Sequence, residues 1–343
     1  MKKSIFYGAR KFRIAAGIFC LALFTSSGCI ACDCDGGISN TGADCSKVFR
    51  DTIGLDFMPM TANDGTENGI DVTGATTINK TLFDDMINNT DPSKRLYPIA
   101  SDNGLKDVEQ VRAAIVTRTF TDGDDEFIRQ GTKSFKGWIT GRYATPQYAA
   151  KLESIRCADM GVYKTDRGYN YIGAISADGS KLVPIRVTAG SFYATYMEAT
   201  PDKNNAYIEI GFNFSPSELD GRLRMIACSE FVNYKPNMNR GLVDVCGLVS
   251  EITDSSFVIQ LQTDQGTPLN PLTVKNLAQA DFSLHNDTTN ADVPITSFDE
   301  DPAGTYAIGF AAQNDGDELT LTIAHNGYDF TCVSDTPIVT PMS

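Results

Sequence analysis

The sequence predicts a mainly β protein: an N-terminal β-rich domain with one packed helix, followed by a C-terminal immunoglobulin-like β-sandwich. Three observations predict it. Apolar and polar residues alternate over short runs, most clearly in residues 206–214, where Ile208, Ile210, Phe212 and Phe214 face one way and Glu209, Gly211 and Asn213 the other. The 29 glycines and 14 prolines are spread between such runs as turns. A full helix signature occurs in residues 146–156, where Thr145 is a good N-cap, Pro146 takes the first helical position, and Tyr148, Leu152 and Ile155 recur at helical spacing.

Residues 1–28 read as a signal-like segment. Lys2, Lys3, Arg10, Lys11 and Arg13 precede an apolar run over 14–24, and small residues follow up to Gly28. The run is about 11 residues, against the roughly 20 needed to span a bilayer. Gly28 before Cys29 resembles a lipoprotein processing site with Cys29 as the lipidated residue, although Ser26 stands where such sites carry an aliphatic residue. Residues 29–46 form a Cys/Gly-rich arm. Cys32, Cys34 and Cys45 join Cys29 there, and their spacing lacks the paired knuckles of structural zinc sites, so disulfides or free thiols are expected rather than a metal.

The β-rich structural or assembly domain is expected over 47–240. Ile53, Leu55 and Phe57 alternate against Gly54, Asp56 and Met58 as a strand, and residues 81–88 make at most a short helix. Residues 108–120 read as a strand or part of a hairpin. The acidic turn after Phe120 leads into 127–140, which reads as a hairpin of its own. Strands are then expected over 162–175, 182–187, 192–198 and 206–214. The strand rhythm weakens over 215–240, where the domain boundary is placed. The sandwich domain, 241–343, is expected to hold seven strands: 247–252, 257–262, 272–274, 281–285, 293–296, 305–310 and 318–324.

The net charge of −14 argues against a phosphate-binding surface. Removal of the signal-like segment would leave 24 basic against 43 acidic residues, a net −19. Nucleotide-binding, nucleophile-elbow and zinc-protease motifs are missing. The only histidines, His285 and His325, sit on or beside turns in the sandwich and read as surface residues. Asp122, Asp124, Asp125 and Glu126 offer oxygen ligands without calcium-loop spacing, and read as a solvated turn. Tyr143, Tyr163, Tyr169, Tyr171, Tyr193 and Tyr196 read as a sheet core or an interface. No catalytic residue, cofactor or metal site is assigned, and no enzyme activity is expected.

Several short motifs together resemble virion structural proteins of phages infecting Bacteroidetes, including crAss-like phages. They are Cys32-Asp33-Cys34-Asp35-Gly36-Gly37 with Ser39-Asn40-Thr41-Gly42 and Cys45, then Asn68-Gly69-Ile70-Asp71 and Arg95-Leu96-Tyr97-Pro98. Arg129-Gln130-Gly131 with Lys133-Ser134-Phe135, the helix ending Ser154-Ile155-Arg156-Cys157, and Tyr171-Ile172-Gly173 complete the set, which covers residues 32–214. The resemblance implies a self-assembling tail tube, ring or capsid-associated component, partnered by its own copies and other virion proteins, with an outward sandwich domain. The signal-like start supports a different reading: an exported, lipid-anchored surface protein whose sandwich binds glycan or protein.

Overall fold

A computed structural model of the chain describes residues 49–341, apart from 100–103, 201–204, 218–219, 268 and 335–336. Residues 50–343 form one compact unit. With 47% of residues in strands and 15% helical, it is mainly β.

Among the described residues fourteen strands precede residue 227: β1 (Thr52–Pro59), β2 (Ile70–Asp71), β3 (Tyr97–Ile99), β4 (Leu105–Arg112), β5 (Val116–Thr119), β6 (Asp125–Arg129), β7 (Lys133–Ile139), β8 (Met160–Asp166), β9 (Tyr171–Ile175), β10 (Lys181–Val183), β11 (Ile185–Arg186), β12 (Tyr193–Met197), β13 (Tyr207–Asn213) and β14 (Leu223–Ile226). They build an antiparallel sheet of order β2-β10-β9-β8-β1-β3, with β11 on β8 and β14 on β9, and a second of order β12-β13-β7-β4. Between the two sheets lie Leu55, Phe57, Phe135, Val162, Ile208, Ile210 and Phe212. Phe57 meets Phe192 and Phe212 edge to face, each at 5.4 Å, and Phe135 stacks on Phe212 at 4.9 Å.

Two helices cover this region: the one expected to pack over 146–156, and the short one expected at most over 81–88, which the sequence does not place against the sheet. Helix α2 (Pro146–Glu153) has its predicted cap, with Thr145 accepting from the Tyr148 amide at 3.2 Å, and buries Ala149 and Leu152 in the inter-sheet core. Helix α1 (Lys80–Ile87), capped by Asn79, buries Phe83 and Ile87 in a second core on the other face of the larger sheet, with Met58, Tyr163, Tyr171 and Phe231. Strand β1 is therefore covered on both faces, and Asp56, on the face opposite Leu55 and Phe57, is buried. Strand β14, inside the turn-rich boundary, is absent from the sequence prediction. Covering the larger sheet twice explains both differences, because a face that looks half-polar in sequence is closed by a distant segment.

The remaining strands are β15 (Val243–Ser250), β16 (Ser256–Thr267), β17 (Asn270–Thr273), β18 (Phe282–Asn286), β19 (Ala291–Val293), β20 (Ile295–Glu300), β21 (Thr305–Phe310), β22 (Glu318–Ile323), β23 (Tyr328–Asp329) and β24 (Ile338–Val339), with a short helix α3 (Thr331–Ser334). Sheets β20-β21-β16-β15-β23, with β17 on β16, and β19-β18-β22-β24 face each other as the predicted sandwich. Phe257, Ile259, Leu261, Leu284, Tyr306, Ile308, Leu319 and Leu321 fill it. The expected strand 293–296 divides at Pro294: Val293 pairs with Leu284 in one sheet, while Ile295 pairs with Phe310 in the other. A proline has no amide hydrogen for a ladder, so the chain crosses between sheets there. Cys246 of β15 is disulfide-bonded to Cys332 of α3, Cα to Cα 5.0 Å.

Candidate assembly ribbon and junction cleft

Residues 108–120 are part of a hairpin, as one of their two readings expects, but 127–140 do not form the hairpin read from the sequence, because β6 and β7 do not pair with each other; strands β4 to β7 act together. They make one long nested ribbon. Strand β4 pairs with β7 (Arg112 opposite Lys133, Val111 opposite Ser134), and β5 pairs with β6 (Arg118 opposite Glu126, Thr119 opposite Asp125). The two parts are joined where the Ala113 amide donates to Thr132 at 2.9 Å. Gly131 is required at this joint, because a Cβ there would lie 1.8 Å from the Ala113 carbonyl oxygen. Gly123, at φ +92, closes the tip, where the Phe120 amide donates to the Asp124 carbonyl at 2.8 Å. At the root, Asp220 accepts from both Arg112 and Lys133.

Strands β5 and β6 pair only with each other, and every residue of β6 is exposed. Val111 (56%), Ile115 (55%), Phe127 (54%), Ile128 (53%) and Phe120 (40%) are all open to solvent. A two-stranded ribbon is marginal on its own, and its outer backbone groups are a template for another strand. The apolar side chains on it have no covering layer among the described residues. Of the acidic residues, Asp122 and Asp124 lie in the exposed turn at the ribbon's tip, while Asp125 and Glu126 open the exposed strand β6. Asp125 accepts from Thr119 at 2.6 Å and Asp122 from the Asp124 amide at 3.2 Å. The apolar residues of the ribbon were missed in the sequence. Their signal is the adjacent pair Phe127-Ile128, which puts apolar side chains on both faces of a strand that flanks a charged turn.

A cleft of about 500 Å³ opens where the first sheets meet the sandwich, lined by Tyr97, Tyr143, Tyr148, Leu152, Ile155 and Asp264 among others. Lys151 is paired there with Asp244 at 2.5 Å, and Arg95 with Asp329. Burial and the neighbouring Asp244 push the Asp264 carboxyl upward. Behind it, the Asp56 carboxylate accepts from Tyr171 at 2.8 Å and Asn239 at 2.6 Å, and burial raises it to about 7.

Of the predicted tyrosines, Tyr163 and Tyr171 are core, stacked at 4.8 Å, while Tyr143, Tyr169, Tyr193 and Tyr196 are half-buried. His285 is half-buried beside Asp292 at 2.8 Å, and His325 is exposed beside Asp281 at 3.3 Å. Neither histidine touches the cleft's aromatic wall. Cys29, Cys32, Cys34 and Cys45 lie outside the described residues. Cys228 is disulfide-bonded, and Cys157 is an exposed free thiol. Among the described residues no helix is long and apolar enough to cross a membrane, and no group of three or more His, Cys, Asp or Glu side chains is placed to hold a metal ion.

No protein-family model matches this chain, and no curated protein matches it.

Proposed function

We propose that the chain is an exported structural protein that associates with its own copies at a cell surface, with the sandwich as a binding domain. The observation that carries self-association is the unpartnered ribbon. Sheet β12-β13-β7-β4 ends in two different free strands, and a contact between β12 of one copy and β4 or the ribbon of the next is heterologous, so it closes a ring or extends a fibre. Export is supported by the signal-like start and by the Cys246–Cys332 disulfide, a bond that persists in oxidising compartments.

The second reading is a virion structural protein that assembles in the cytoplasm. The open-ended sheet followed by a sandwich suits it, as the motif resemblance implies. Expression of the full chain in a Gram-negative bacterium separates the two. Membrane-fraction protein that loses its lipid in Cys29→Ala, keeps its disulfide, and forms oligomers by native mass spectrometry supports the first. Rings or tubes of reduced, cytoplasmic protein would transfer the assignment to the virion. A strict monomer at high concentration would remove both.

A further inference from the structure

The turn between β22 and β23 carries the pair Asn326-Gly327, both exposed. Gly327, at φ +92, has no Cβ to shield its backbone nitrogen, and the Asn326 carboxamide has no hydrogen-bond partner among the described residues. The same dipeptide at Asn68-Gly69 is held differently. Asn68 is 7% exposed, and its carboxamide donates to the Pro59 carbonyl at 2.9 Å and to the Ser93 carbonyl at 2.7 Å. Turning its Cγ onto the next backbone nitrogen would break both bonds in a buried site. Asn103, of the third such pair, lies outside the described residues. The open turn is also a tie within the fold. Its Gly327 amide donates to Oδ1 of Asn88, the C-cap of α1, at 2.9 Å, and its Gly327 carbonyl accepts from the Val243 amide at 3.0 Å. Tyr328 and Asp329 then pair with Val243 and Asp244, and Asp329 is bound to Arg95.

We infer that Asn326 is a site of spontaneous deamidation, and that the reaction unties this turn from α1. The Gly327 nitrogen, deprotonated by solvent hydroxide, attacks Asn326 Cγ; adjacency in the chain supplies the proximity. The new C–N bond closes a succinimide ring, the Cγ–Nδ2 bond breaks, and Nδ2 leaves as ammonia with a proton from water. Water then opens the ring at either carbonyl, breaking that carbon's bond to the ring nitrogen and leaving aspartate or isoaspartate. One carboxamide and one water become one carboxylate and one ammonium ion, with nothing oxidised or reduced. The Gly327 N–H has to leave Asn88 before it can react, so the reaction proceeds from the undocked turn. While the ring stands, the nitrogen has no hydrogen to return to Asn88. Opening to isoaspartate restores that hydrogen but lengthens the backbone by one carbon, which shifts the turn out of register with Val243.

The test follows the folded full chain through incubation at mildly alkaline pH, with digestion by a protease that cuts before aspartate. Residues 64–70 and 317–328 are then separate peptides, each holding one asparagine. The expected result is progressive conversion of 317–328, either cut before position 326 or uncut and heavier by the exchange of NH2 for OH, while 64–70 keeps its mass. In urea both peptides should convert, because the fold that protects Asn68 is gone. Converted protein carries one more negative charge and is separated by anion exchange. Amide hydrogen exchange at Val243 should be faster in it than in the unconverted chain. Conversion of 317–328 no faster than that of 64–70 in the folded chain would overturn the assignment of Asn326. Unchanged exchange at Val243 in converted protein would overturn the untying of the turn.

Discussion

The sandwich and the ribbon are both antiparallel β-structure, yet they treat apolar side chains in opposite ways. In the sandwich, alternate residues of β16, β21 and β22 turn inward, and Phe257, Tyr306, Leu319 and Leu321 are at most 1% exposed. In the ribbon, Phe127 and Ile128 are more than half exposed. The sandwich has two sheets to close on each other, whereas β5 and β6 have no second layer. Strand pattern alone therefore does not decide burial. The layer opposite the strand decides it, and among the described residues the ribbon has none.

Substitutions that separate core from surface break this comparison most directly. Phe257→Ala should cost about 3–5 kcal/mol, because it empties the sandwich centre, and urea denaturation followed by fluorescence should show the loss. Cys246→Ser should cost about 2–5 kcal/mol, since the bond it removes closes a loop spanning 86 residues. The next effect depends on pH. The Asp56 carboxyl is raised from 3.8 to about 7, so the folded state binds a proton that the unfolded chain has released. Its stabilisation is complete below pH 3.8 and is lost as pH rises through about 7, a decline on the order of a few kcal/mol. Asp56→Asn should flatten that slope in chemical melts taken at pH 5 and pH 8. Phe127→Ala should move stability by less than about 0.5 kcal/mol. Its effect should instead be dissociation of oligomers in native mass spectrometry. A large stability loss from Phe127→Ala would show that the ribbon is packed within its own chain.

Much of the fold is legible where local chemistry decides it. Thr145-Pro146 fixes the start of α2, and the alternation of Ile208, Ile210 and Phe212 fixes β13. The inward rows of β21 and β22 are equally plain. What fails is everything set by distant partners. Asp56 looks like the polar side of a half-buried strand until α1 and the segment around Asn239 close over it. Residues 127–140 look like one hairpin because pattern does not record register, and β6 and β7 have different partners. The Cys246–Cys332 bond is illegible for the same reason, since spacing says nothing about which thiols meet.

The position of the Cys246–Cys332 bond has a mechanical consequence. It joins the first strand of the sandwich to the helix near its end, so most of the domain lies between the two sulfurs. A pull applied through the chain on either side would pass from Cys246 to Cys332 through the covalent bridge. The 86-residue separation, roughly 300 Å of extended chain, would be withheld from unravelling. A domain tied in this way resists stretching until the sulfur bridge is reduced, whatever the strength of its individual strands.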